Sequence, residues 1–152
     1  MDFYPDRRIL AFQVLPMKRV LLIGFVAILA VGCKKAIDKK KENAIISAMT
    51  DGQWVITSFV NNGSVITSDF SAYKFQYHDN YTVDAIKNGI VENTGTWDGD
   101  PATMTITANF TNAPSPIDLI NGGWHIDNNS WTFVVASQST GSGTKTLRLE
   151  KL

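Results

Sequence analysis

The chain has 152 residues, and its 14 Lys and Arg are balanced by 14 Asp and Glu. One cysteine and two histidines exclude a disulfide framework and a cysteine-built zinc site. The even charge conceals a division: residues 50–152 hold five basic side chains (Lys74, Lys87, Lys145, Arg148, Lys151) against ten acidic ones, which argues against a nucleic-acid partner.

In chain order, residues 1–16 (MDFYPDRRILAFQVLP) place Asp2, Asp6 and two prolines ahead of what reads as a complete export signal. They are read as an extension upstream of a true start at Met17. Met17-Lys18-Arg19 is a basic lead, and residues 20–31 (VLLIGFVAILAV) are apolar. A membrane-spanning helix needs roughly 20 such residues, so this run is short for a permanent span. Leu29-Ala30-Val31-Gly32-Cys33 resembles the lipobox of bacterial lipoprotein signal peptides. The resemblance implies that residues 17–32 are a signal peptide, cut between Gly32 and Cys33. It also implies that Cys33 carries a diacylglycerol, with fatty-acyl chains such as palmitate anchoring the protein in the bilayer. Two or more acyl chains hold a protein stably where one is marginal. Lys34 and Lys35 follow the cysteine where inner-membrane lipoproteins of this type carry aspartate. The expected location is therefore the bacterial cell envelope, at the outer membrane facing the periplasm.

Residues 33–49 read as a lysine-rich tether followed by a short helix, with Ala44, Ile45, Ala48 and Met49 at helical spacing. From Gln53 onwards the hydrophobic period is two. Strands are expected over 53–60, 70–78, 81–87, 90–97, 103–108, 122–127, 130–136 and 144–151, with a short bridging piece at 64–67. Asn62-Gly63 and Asn88-Gly89 are strong hairpin turns. The inward faces are read as Tyr73, Phe75 and Tyr77; Tyr81, Val83 and Ala85; Met104, Ile106 and Ala108; Trp131, Phe133 and Val135; and Leu147 with Leu149. Residues 111–121 and 137–143 read as the two longest loops. Eight short strands joined by hairpins, each with one apolar face, predict an all-β, eight-stranded antiparallel up-and-down barrel over residues 50–152.

Three features of that domain resemble the small lipocalin-like (calycin) lipoproteins of the Bacteroidetes type. Gly52-Gln53-Trp54 stands where the helix gives way to the first strand, Gly95-Thr96-Trp97 ends the fourth, and Arg148 lies on the last. The resemblance implies that Trp54 plugs the closed end of the barrel and that Arg148 packs across it as a cation–π partner.

No nucleophile elbow, phosphate loop or dinucleotide fingerprint occurs, and neither His78 nor His125 has a ligand partner at metal spacing. No catalytic residue, metal or cofactor is expected. Aromatic residues remain as candidates: Tyr73, Phe75, Tyr77, Tyr81, Trp124, Trp131 and Phe133, with Met104, could line an apolar pocket whose phenols fix a polar group. The same rings could instead fill the barrel solidly. Two functions follow from the two cases. The first is non-catalytic binding of a small hydrophobic or amphipathic ligand. The second is a solid-barrel interaction module that meets an envelope protein through its two long loops.

Overall fold

The computed structural model describes residue 37 and residues 39–152. Cys33, the signal at 17–32, the extension at 1–16 and most of the tether lie outside the described residues. Helix α1 covers residues 39–50. The strands are β1 (Trp54–Asn61), β2 (Ser64–Val65), β3 (Tyr73–Tyr77), β4 (Thr82–Lys87), β5 (Ile90–Asp100), β6 (Thr105–Asn109), β7 (Gly122–Asn129), β8 (Phe133–Thr140) and β9 (Gly143–Lys151). Every pairing is antiparallel between neighbours, and β1 also pairs with β9. With β2 a two-residue flap on β1, the remaining eight strands form a closed up-and-down barrel, as the alternation predicts. Closure leaves no long unpaired edge.

Local chemistry accounts for the turns. Asn62 and Gly63, and Asn88 and Gly89, all have positive φ, the geometry of two-residue turns whose twist matches that of the flanking strands. Three register shifts, opposite or within Ile56–Ser58, Ala85–Ile86 and Ile126–Asn128, bend the sheet into a tube. The shift in β1 keeps Ile56 and Phe59 both buried.

The two ends of the barrel differ. At the end away from Trp54, short 3-10 turns at Thr67–Phe70 and Ile117–Ile120 fold inward. Phe59 stacks on Phe70 with centroids 4.8 Å apart and meets Trp124 edge-on at 5.9 Å; Phe110, Ile117 and Ile120 are buried beside them. The Trp124 indole N–H donates to the Ile120 carbonyl at 2.7 Å, and the Asn121 side chain bonds both the N–H and the carbonyl of Phe110. Within residues 111–121, Pro116, Ile117 and Ile120 are thus packed into the barrel end, while Thr111, Asn112, Pro114, Ser115 and Asp118 stay exposed. Residues 137–143 are not a loop, because β8 runs to Thr140 and pairs it with Gly143. At the other end, α1 lies across the rim.

One expected face is reversed. On β8 the buried residues are Val134, Ala136 and Gln138, while Phe133 and Val135 face outward and Trp131 sits in the preceding turn, 62% exposed. The ladder to β9 decides this by placing Val134 opposite Leu149 and Ala136 opposite Leu147. Rings from β1, β3 and β7 fill the lumen from the other walls, and opposite Leu149 and Leu147 β8 contributes the smaller Val134 and Ala136. A one-residue shift in phase moves every side chain to the other face. Met104 and Tyr81 also leave their expected inward faces. Both have positive φ in turns, and they are 42% and 38% exposed.

Candidate functional site

A concavity lies beneath α1 at the Trp54 end. It is a groove of about 370 Å³ lined by Ala44, Ile45, Ala48 and Met49 of α1, Trp54, Ile106 of β6, Ile126 and Asn129 of β7, Ser130, Trp131 and Val134 of β8. The helix lining follows from its sequence: residues 44, 45, 48 and 49 share one face, and two of them are alanines too small to fill the space beneath.

The helix is pinned where it meets the barrel. The Trp54 indole N–H donates to the Met49 carbonyl at 2.8 Å, and the Thr50 hydroxyl closes the last turn on Ile46 at 2.8 Å. Ile45 approaches β5 at Gly99, where an added Cβ would come within 2.9 Å of it. The first turns hold more loosely: Lys39, Lys40 and Lys41 are exposed, and Glu42 accepts a 3.3 Å bond from the Tyr81 hydroxyl.

Behind the groove, the lumen holds a void of about 20 Å³, lined by Tyr77, Ile106, Ala108, Trp124, Val134, Ala136, Leu147 and Leu149. Ile106 and Val134 line both spaces. A void of that size admits about one water molecule. Trp54, Phe59, Phe75 and Trp124 are all fully buried in the core.

The expected pocket residues are therefore dispersed. Trp131 alone of them lines the groove. Tyr77 and Trp124 face the void, and Tyr77 meets Trp97 edge-on at 5.4 Å. Phe75 is core packing opposite Trp54. Tyr73 is buried, but its hydroxyl reaches the Glu92 carboxylate, with Lys87 5.1 Å above the ring. Burial and then this contact push the Tyr73 phenol up, while the hydroxyl holds Glu92 below the usual carboxylate range. Phe133 lies under the Arg148 guanidinium at 4.4 Å, and Tyr81 and Met104 stand at the rim.

The cation over Trp54 is not Arg148. That residue is opposite Ser58 and Val135, points outward, and bonds Glu150 at 2.7 Å. Lys151 takes the place instead, its ammonium 5.2 Å from the Trp54 ring and its side chain 13% exposed. Alternation explains the difference, because the inward Leu147 and Leu149 flank Arg148. The groove was missed for a related reason. Its walls are alanines, isoleucines and a turn, and the only advance signal was a helix with an apolar stripe that had to cover something.

A second polar cluster lies on the outer wall. His78 Nε2 is 2.9 Å from Asp84, and the Thr94 hydroxyl donates to the other carboxylate oxygen at 2.5 Å. His78 thus has a carboxylate partner that its sequence spacing did not announce. Asp84 is the shared acceptor, so this is not the order of a nucleophilic triad, in which the imidazole lies between acid and hydroxyl. The Thr94 bond, and then His78, hold Asp84 below its ordinary value. A carboxylate with a depressed folded-state pKa stabilises the fold above its unfolded value near pH 4, and that contribution is lost as pH falls through the folded value. Asp84→Asn is therefore expected to flatten the fall in stability below about pH 4, read from urea melts across pH. An identical acid limb in the variant would remove Asp84 from the account.

No family model matches the chain, and no curated protein matches it. Among solved structures, a DUF4847 family protein from Bacteroides vulgatus is similar over 70% of this chain and 96% of its own, with a TM-score of 0.52 and 12% identity. Japanin from Rhipicephalus appendiculatus, a structure bound to cholesterol, is similar over 69% of this chain and 77% of its own, with a TM-score of 0.48 and 8% identity. The likeness to the Bacteroides protein is one of fold, and the closed eight-stranded barrel with its leading helix is a lipocalin-like fold.

Proposed function

We propose that this is a lipid-anchored envelope protein that binds a small hydrophobic or amphipathic molecule, without covalent chemistry, in the groove beneath α1. The groove carries the reading. Its volume of about 370 Å³ falls within the range of roughly 300–1,000 Å³ for small-molecule sites. Its walls are apolar except for Asn129 and Ser130 at the margin, which suits a ligand held by apolar burial and oriented by few polar contacts. Trp131, which lines the groove, is 62% exposed and offers it a large apolar surface.

Ala48→Trp places an indole in the groove and is the direct test. Full chain reconstituted in nanodiscs is incubated with envelope lipid extract and analysed by native mass spectrometry. The expected result is a reproducible added mass on the wild type, reduced at least about tenfold in the variant at unchanged melting temperature. Equal loading of both proteins would remove the groove from the account.

Anchoring through Cys33, and with it the small lipocalin-like lipoprotein of the Bacteroidetes type at the outer membrane, is supported by the lipobox-like sequence. Cys33→Ser is expected to abolish incorporation of radiolabelled palmitate and to leave the signal peptide uncut. Labelling that persists in the variant would overturn the anchor. The interaction module keeps one specific observation in its favour, the lumen void of about 20 Å³. Its contact surface would include the exposed residues of 111–121: Thr111, Asn112, Pro114, Ser115 and Asp118.

A further inference from the structure

Each hairpin turn at the Trp54 end exposes one large apolar side chain: Tyr81 between β3 and β4, Met104 between β5 and β6, and Trp131 between β7 and β8. Turn chemistry alone does not account for two of them. Among the described residues, the non-glycine positions with positive φ are Asn62, Asn88, Asn112, Tyr81 at 63° and Met104 at 53°. Asn tolerates that region because its short side chain bonds the local backbone, whereas a bulky side chain there is strained. Such strain clusters where a side chain has a use outside packing. The far end follows the opposite rule: its turns use Asn62-Gly63 and Asn88-Gly89, and its exposed Val65, Ile90 and Val91 lie on strands.

The chain also enters at this end. Glu42 in the first turns of α1 meets the Tyr81 hydroxyl, and Lys39, Lys40 and Lys41 beside it are exposed. A fully extended chain from Cys33 to Lys39 spans at most about 20 Å, so a Cys33 held in a bilayer keeps this end within that reach of the headgroups. Trp and Tyr favour the headgroup layer, which serves both an apolar ring and its polar tip. From this we infer that the Trp54 end is a membrane-docking surface: Tyr81, Met104 and Trp131 insert into the headgroup layer, and the groove beneath α1 opens onto the bilayer. The inference rests on the lipid anchor at Cys33. Charge narrows the surface to a zwitterionic one. Asp79, Asp98 and Asp100 are exposed at the same rim, where anionic lipid repels them and the ammonium groups of zwitterionic headgroups attract them. Trp131 belongs to both the groove and the docking surface, so an amphipathic lipid reaches the site from the bilayer without crossing water.

Trp131 reports the contact directly, because the other tryptophans, Trp54, Trp97 and Trp124, are buried. Full chain is reconstituted in nanodiscs of phosphatidylcholine with and without bromine in the upper part of one acyl chain, and tryptophan emission is compared. The bromines are expected to quench the Trp131 component about twofold, and Trp131→Phe to abolish the effect. Tyr81→Asn combined with Met104→Asn takes the strain out of both turns, and neither residue lines the groove. That double variant is expected to melt no lower than the wild type and to lose at least about half of the quenching. Full quenching in the double variant would assign the effect to a lipid bound in the groove and overturn docking. An unquenched Trp131 in the wild type would overturn docking and leave the anchor in place. Absence of palmitate from Cys33 in the same preparation would overturn the anchor, and the inference with it.

Discussion

Trp54→Ala is expected to lower the unfolding free energy by about 3–5 kcal/mol, the largest stability loss of any single substitution considered. The ring is fully buried, lies opposite Phe75 in the β1–β3 register and forms part of the groove wall. Its N–H holds the last turn of α1 through the Met49 carbonyl, so truncation removes core volume and also unpins the helix. Chemical denaturation measures the first effect. Hydrogen exchange in residues 39–50 measures the second, with exchange expected to approach that of an isolated helix, which at this length is marginal in water. A loss below about 1 kcal/mol would show that the ring does not fill the end of the barrel. Arg148→Ala supplies the contrast. Its guanidinium is outside, with Glu150 as an exposed partner, and exposed ion pairs contribute about 0–1 kcal/mol. Lys151→Ala is expected to cost more than Arg148→Ala, because Lys151 covers the Trp54 ring with a side chain that is nearly buried.

Gly95→Ala is the second large effect, with an expected loss of about 2–3 kcal/mol. A Cβ at this position would lie 2.6 Å from the Asn109 carbonyl oxygen and 2.8 Å from the Phe110 ring. The first contact is with backbone in the β5–β6 ladder, next to the Thr96–Asn109 pair, and cannot rotate away. The second is with a ring held in the plug by Asn121. Gly89→Ala separates this packing effect from ordinary glycine conformational freedom. That site has positive φ but nothing within 4 Å of an added Cβ, so its cost is the backbone strain alone, about 1 kcal/mol. Thermal melts of the two variants should therefore differ clearly. Equal losses would mean that the close approach at Gly95 relaxes freely.

Much of the barrel was legible because its cues are local. Alternation over 73–77, 82–87 and 144–151, with Asn-Gly turns between strands, sets strand number and hairpin order. The alternation around Arg148 already set it apart from the inward leucines. Size misled the reading of 130–136: Trp131 and Phe133 looked like core, yet Val134 and Ala136 are inside. How much room a strand finds in the lumen depends on what the other walls have already placed there, and no local window contains that. The Ile117–Ile120 plug was hidden in the same way, between prolines that read as a loop.

By itself, then, the amino-acid order determined the architecture: one acidic β-domain, eight hairpin-linked strands, a leading amphipathic helix and a lipobox-like cysteine upstream. Tertiary structure alone decided where there is space. The lumen closes around Trp54, Phe59, Phe75 and Trp124, and the groove lies at the rim, where α1 contributes the small side chains of Ala44 and Ala48 to its lining. A cavity is a difference between the volume that the backbone encloses and the volume that the side chains occupy. Residues distant in sequence set both volumes, so the site became visible only once the barrel had closed.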